Sequence, residues 1–190
     1  MSITVEQLVK TSGLNPARLR SYKWGEGIES TSRGVYIIST SKDILALEPY
    51  FEAAPFNNAS ILNWIEKDDK LKIDGKPATL LNIKEKLESF WLADETILYI
   101  GKSNSKMGIR QHLSRIYNLG LGNEHRITTA SWVKTLNILN DLYVHYISCN
   151  HPDEKKLELI STFNLQLSKK SKKKLKSKAY ENPFANNSLT

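Results

Sequence analysis

Four side chains in this sequence have the types and the spacing to act on a phosphate: Tyr36, Tyr99, Lys102 and Arg110. Tyr36 closes the string Gly34-Val35-Tyr36 and Tyr99 opens Tyr99-Ile100-Gly101-Lys102, each inside a run rich in Ile, Val and Tyr that favours a strand. If the two runs pair as neighbours, two phenol hydroxyls, an ammonium and a guanidinium converge on one phosphate. A phenol can relay the proton of an attacking water once a nearby cation lowers a pKa that otherwise lies near 10. A guanidinium fork matches two phosphate oxygens and stabilises the negative charge added in the transition state. Such a set would cut a phosphodiester.

The elements that must position these groups follow from the apolar pattern. Residues 34–40 read as a buried strand, 96–102 as a second and 142–149 as a third. Between the first two, 62 residues separate Tyr36 from Tyr99, and most are helical in pattern: pieces at 43–51 and 61–65, then 79–92, where Ile83, Leu87, Phe90 and Trp91 share one face. Ile109, Leu113, Ile116 and Tyr117 give the next helix a buried stripe, with Arg110 and Ser114 one turn apart on its other side. A helix is expected at about 128–140 and another after Pro152, carrying Leu157, Ile160 and Phe163. The sum is an α+β domain over residues 33–190, built on a small three-stranded antiparallel sheet flanked by helices. It carries a mostly helical insertion at 41–94, and residues 1–32 form an arm packed against it.

Composition limits what the chain can be. At 190 residues with 40% apolar content it can bury an ordinary core, and without a long apolar run it reads as a cytoplasmic chain that does not enter a membrane. The single cysteine, Cys149, rules out an internal disulfide or a cysteine-based zinc site and reads as a buried, inert thiol. The net charge of +7 is concentrated in one place: seven lysines fall between Lys169 and Lys178, and without them 20 basic residues face 20 acidic ones. This Lys-rich segment, 168–178, either attracts a polyanion, with Lys172, Lys173 and Lys174 at its centre, or is simply a solvated, solubilising stretch. No GxxxxGK[ST] phosphate loop is present.

The order GVY, YIGK, a helix Arg nine residues past the glycine, then a helix with acidic residues and a late Asn resembles the GIY-YIG nuclease superfamily, from about Gly34 to Asn186. FWLADETILYIG and PFAN are further similar to a little-characterised bacterial branch of it. The resemblance implies a metal-dependent endonuclease that uses Mg²⁺ or Mn²⁺ to hydrolyse nucleic acid, DNA foremost. Carried onto this chain, Tyr36 handles the proton of the attacking water, Tyr99 orients it, Lys102 supplies the cation, Arg110 faces the phosphate and Asn186 holds local geometry. From its place beside His125 and the Gly120–Gly122 loop, Arg126 either touches the nucleic-acid backbone or has a capping or solvent-facing role, and the second reading is the stronger. His112, His145 and His151 have no ligand spacing and read as structural or exposed.

Two positions depart from the family's pattern. Where the superfamily places a Tyr or His one turn beyond the helix Arg, this chain has Ser114. Where it places the metal-holding Glu, with apolar residues at +3, +4 and +7, the register falls on Lys156. The candidate ligands are therefore Glu158 and Glu154, two residues to either side and about 200° around the helix. A second reading follows: a nucleic-acid-binding module of the same architecture with impaired catalysis. A third, a protein-interaction domain built around the insertion and Trp64, has less to support it.

Overall fold

The computed structural model describes residues 2–122, 129–175 and 182–187. Its centre is β2 (Gly34–Ser39), whose six residues are all buried, as the apolar run GVYIIS requires of a strand covered on both faces. β2 pairs antiparallel with β5 (Ile97–Ser103) on one side and β6 (Tyr143–Ser148) on the other, so the GVY and YIGK strings are neighbours. The sheet has four strands rather than three. β1 (Arg20–Lys23), from the expected arm, pairs with β6 in the order β1-β6-β2-β5. Its short sequence RSYK has no apolar alternation to betray it, since only the Tyr22 ring packs against the core.

The sheet divides two cores. Tyr36 and Ile38 of β2 point to one face, where they meet Ile109 and Leu113 of α4 (Gly108–Asn118) and the insertion; Val35 and Ile37 point to the other, against Leu159 and Phe163 of α5 (Pro152–Leu165) and Leu8 of α1 (Val5–Thr11). A bulge sits in β5, where Ile38 pairs with Tyr99 but Ser39 pairs with Ile97. The extra residue lets both Leu98 and Tyr99 join the α4-side core.

The insertion holds α2 (Asn58–Lys67), a two-stranded hairpin of β3 (Lys72–Ile73) and β4 (Lys76–Pro77), and α3 (Leu80–Phe90). α2 is capped by Asn57, and α3 by a box in which Thr79 and Asn82 exchange hydrogen bonds. The helix expected at 43–51 is absent. The Asp43 carboxylate accepts the Leu45 amide at 2.9 Å in a local turn, and Pro49 disfavours helix at the residue before it. The helix expected at 128–140 is instead two short 3-10 turns, Thr129–Thr135 and Leu139–Asp141. Their backbone bonds outward: the Asn57 amide donates to the Thr135 carbonyl at 2.7 Å and the Asn137 amide to that of Pro55 at 2.8 Å. No helix among the described residues is long and apolar enough to cross a membrane.

Candidate functional site

The tyrosine face is built by β2, β5 and α4. Tyr36 is fully buried, its ring 5.7 Å from that of Tyr99 and 5.6 Å from that of His112. Gly101 lies directly opposite Tyr36 in the sheet, and a Cβ there would overlap the Tyr36 ring and hydroxyl. The glycine of the YIG string is thus the space into which the phenol folds.

The Tyr36 hydroxyl and His112 Nε2 are 3.0 Å apart. Burial, reinforced by Tyr99, holds the phenol well above its ordinary pKa, while burial and the positive charge of Arg115 hold the imidazole below its own. Both are neutral at pH 7 and joined by one hydrogen bond whose direction follows the imidazole tautomer, while the Tyr36 hydroxyl also hydrogen-bonds with Tyr99. The expectation of a cation that lowers a tyrosine pKa is therefore reversed. His112, read from the sequence as structural or exposed, is the polar side chain that faces the Tyr36 hydroxyl. Its place three residues after Ile109, beside the buried stripe, was the available signal.

Lys102 is on the other side of the sheet. Alternation along β5 puts Tyr99 and Gly101 toward α4 and Ile100 and Lys102 toward α5. There the Lys102 ammonium pairs with the carboxylate of Asp153, which also accepts from the Asn104 amide. Lys156, one turn along α5 from Asp153, is half-buried, and burial together with the Lys102 ammonium lowers its pKa. The spacing of three between Tyr99 and Lys102, an odd number, separates two groups expected to act together.

Arg110 does not join the tyrosines either. It is exposed and lies two residues from His112, about 200° around the helix. It lines a groove with Arg115, Ser114 and the loop at Gly25–Ile28. Ser114 is exposed and accepts from the Asn118 amide at 3.2 Å. The residue one turn before His112 is Gly108, with φ of 70°, where a Cβ would overlap the backbone of Thr31. With His112 facing Tyr36, the position one turn back cannot carry any side chain, a guanidinium included.

The two expected metal ligands are dispersed. Glu154 is exposed, and Glu158 is held 2.6 Å from Lys155 on the solvent side. Among the described residues no three His, Cys, Asp or Glu side chains gather, and the expected ligand position holds an ammonium beside a second ammonium. These residues do not fit a divalent cation.

Asn186 is placed as a backbone clamp. Its amide accepts from the Ile100 N–H at 2.8 Å and donates to the Ile100 carbonyl at 2.9 Å, completing the outer edge of β5 as a paired strand would. Of the lysine segment, Lys169–Leu175 forms a short helix, α6. Its lysines close helix ends: Lys172 Nζ donates to the Leu165 carbonyl of α5 at 2.7 Å, and Lys174 Nζ to those of Glu88 and Trp91, at and just past the end of α3, at 2.9 and 2.7 Å. Lys173 is exposed. Arg126 and its neighbour His125 lie outside the described residues. His145, fully buried, accepts at Nδ1 from Ser21 at 2.7 Å and donates from Nε2 to the Ser41 carbonyl at 3.0 Å, and burial lowers its pKa to about 4.

No family model, curated protein or solved structure matches this chain.

Proposed function

We propose that this protein is a nucleic-acid-binding module of GIY-YIG-like architecture in which the hydrolytic centre is not assembled. The observation that carries the reading is Lys156: a half-buried ammonium beside Lys102 stands where the resemblance expects the carboxylate that holds a metal. Arg110 supports the same reading, since it is exposed and about 200° around α4 from His112, so its guanidinium does not join the tyrosine face. The resemblance supplies the nucleic acid as ligand, and Arg110 and Arg115 of α4 supply charge to attract it.

A metal-dependent endonuclease acting on DNA is the second reading. The neutral Tyr36–His112 pair within the GVY and YIG frame favours it. Incubation of supercoiled plasmid and of labelled single-stranded DNA and RNA with Mg²⁺, Mn²⁺ or EDTA, alongside binding titrations over a range of salt, separates the two. The binding module gives salt-sensitive retention without new ends. Metal-dependent cutting that disappears in a Tyr36→Phe variant would replace it with the nuclease.

A further inference from the structure

A polar cavity of about 430 Å³ lies at the end of the sheet where β6 runs out beside the start of β2, lined by Arg18, Ser32, Arg33, Ser148, Cys149 and Asn150. Every lining residue is polar or a thiol, two carry guanidinium groups, and none is acidic. Among the described residues neither guanidinium is held in an ion pair.

The walls are fixed by the fold. Arg18 ends the 3-10 turn Pro16–Arg18, which Asn15 caps. Arg33 directly precedes β2, and its carbonyl accepts the Cys149 amide at 3.3 Å, tying the two walls together. The preceding loop is also anchored: the carbonyls of Ser32 and Ser30 accept the amides of Ile109 and Arg110 at 3.0 and 3.1 Å. Those bonds saturate early amides of α4 that would otherwise attract an anion. The free positive potential at this end of the molecule therefore belongs to side chains. Burial raises the Cys149 thiol pKa, and Arg33, together with the Glu158-paired Lys155, moderates that rise.

From this cavity we infer a phosphate-binding site in which Arg18 and Arg33 clamp one phosphate group of a nucleic-acid strand while Ser32, Ser148 and Asn150 supply hydrogen bonds. Guanidinium forks bind phosphate oxygens through paired, charge-assisted hydrogen bonds, and a cavity without carboxylates does not oppose them. The inference rests on the nucleic-acid-binding reading and gives it a site distinct from the tyrosine face and from the lysine helix. The phosphate is either an internal diester or a terminal monoester, which share this chemistry.

Cys149 is the only cysteine in the chain and, against the expectation of a buried thiol, is only partly buried, so its alkylation reports on this cavity alone. Its rate of reaction with a neutral maleimide is measured for the full chain with inorganic phosphate, and with oligonucleotides bearing or lacking a 5′-phosphate. Phosphate slows labelling several-fold in the parent and has no effect in the Arg18→Ala/Arg33→Ala variant. Protection by the 5′-phosphorylated strand alone assigns a terminal phosphate, and equal protection by both assigns an internal one.

Nucleic-acid affinity in the double variant falls about tenfold, and its log–log salt slope drops by about one, because both arginines clamp the same phosphate. Arg33→Lys, which keeps the charge and loses the fork, also weakens binding and serves if the double variant does not fold. Unchanged labelling in the presence of phosphate and of both oligonucleotides overturns the site. If the parent binds nucleic acid but the variants match its affinity and slope, the site fails and the binding reading stands. If inorganic phosphate protects Cys149 in an arginine-dependent way while no nucleic acid binds, the site stands and that reading fails.

Discussion

Gly101 and Tyr36 form a matched pair, since the phenol occupies the space that a side chain at the glycine would need. Gly101→Ala therefore costs about 1–3 kcal/mol through overpacking. The cost shrinks in a Tyr36→Ala background, and a double-mutant cycle in urea reads the coupling. His145 makes a pH prediction. Its pKa is about 4 when folded and near 6.5 when unfolded, so the unfolded chain takes up the proton first as pH falls. Its stabilising contribution is full above pH about 6.5 and is lost between there and about 4, to a total of about 3 kcal/mol. His112, whose pKa is lowered by burial and by Arg115, acts in the same direction. Urea midpoints measured across this window fall steeply in the parent and less steeply in His145→Gln. The identities of the tyrosines and their shared face were legible in the sequence. Lys102 was misplaced, although period-two alternation already sends a residue three positions from Tyr99 to the opposite face.

At the scale of elements, one helix end and one strand edge are closed by side chains remote in sequence, and a second helix end by Lys172, seven residues on. Lys174 donates to carbonyls at the end of α3, so Lys174→Met, which keeps the apolar stem, lowers stability by about 1 kcal/mol. Nucleic-acid affinity and its salt slope stay unchanged in that variant, since the ammonium is committed to carbonyls. Asn186→Ala removes both bonds to Ile100, costs about 1–3 kcal/mol and speeds hydrogen exchange at the Ile100 amide. The strands β2, β5 and β6 were legible as β-forming apolar runs, and α3 and α4 by an apolar stripe at 3.6 residues; α5 was legible by its start at Pro152, but it buries Leu159 and Phe163 and leaves the expected Leu157 exposed. β1 was not legible, because RSYK offers a single apolar ring, Tyr22, among three polar residues. The 3-10 turns over 129–141 were not either, because the loop at 55–57 takes their backbone bonds. Capping by lysines of α6 depends on the distance to other chain ends, which a lysine run does not encode.

On the scale of the whole molecule, the sheet is a partition. Tyr36, Tyr99 and His112 lie on the α4 side, while Lys102, Asp153 and Lys156 lie on the α5 side. A single substitution cannot rebuild a hydrolytic centre across that division. Lys156→Glu is expected to give no metal-dependent plasmid cutting, since the Arg110 guanidinium still lies away from the tyrosine face; cutting by this variant would show that a guanidinium at that face is dispensable. The clamp of Asn186 on β5 has a consequence for biosynthesis. β5 leaves the ribosome some eighty residues before the amide that seals its outer edge. Through that interval the nascent chain exposes an open strand able to pair with another copy, so an early stop before Asn186 would make a product that self-associates even though every strand of the sheet has been translated.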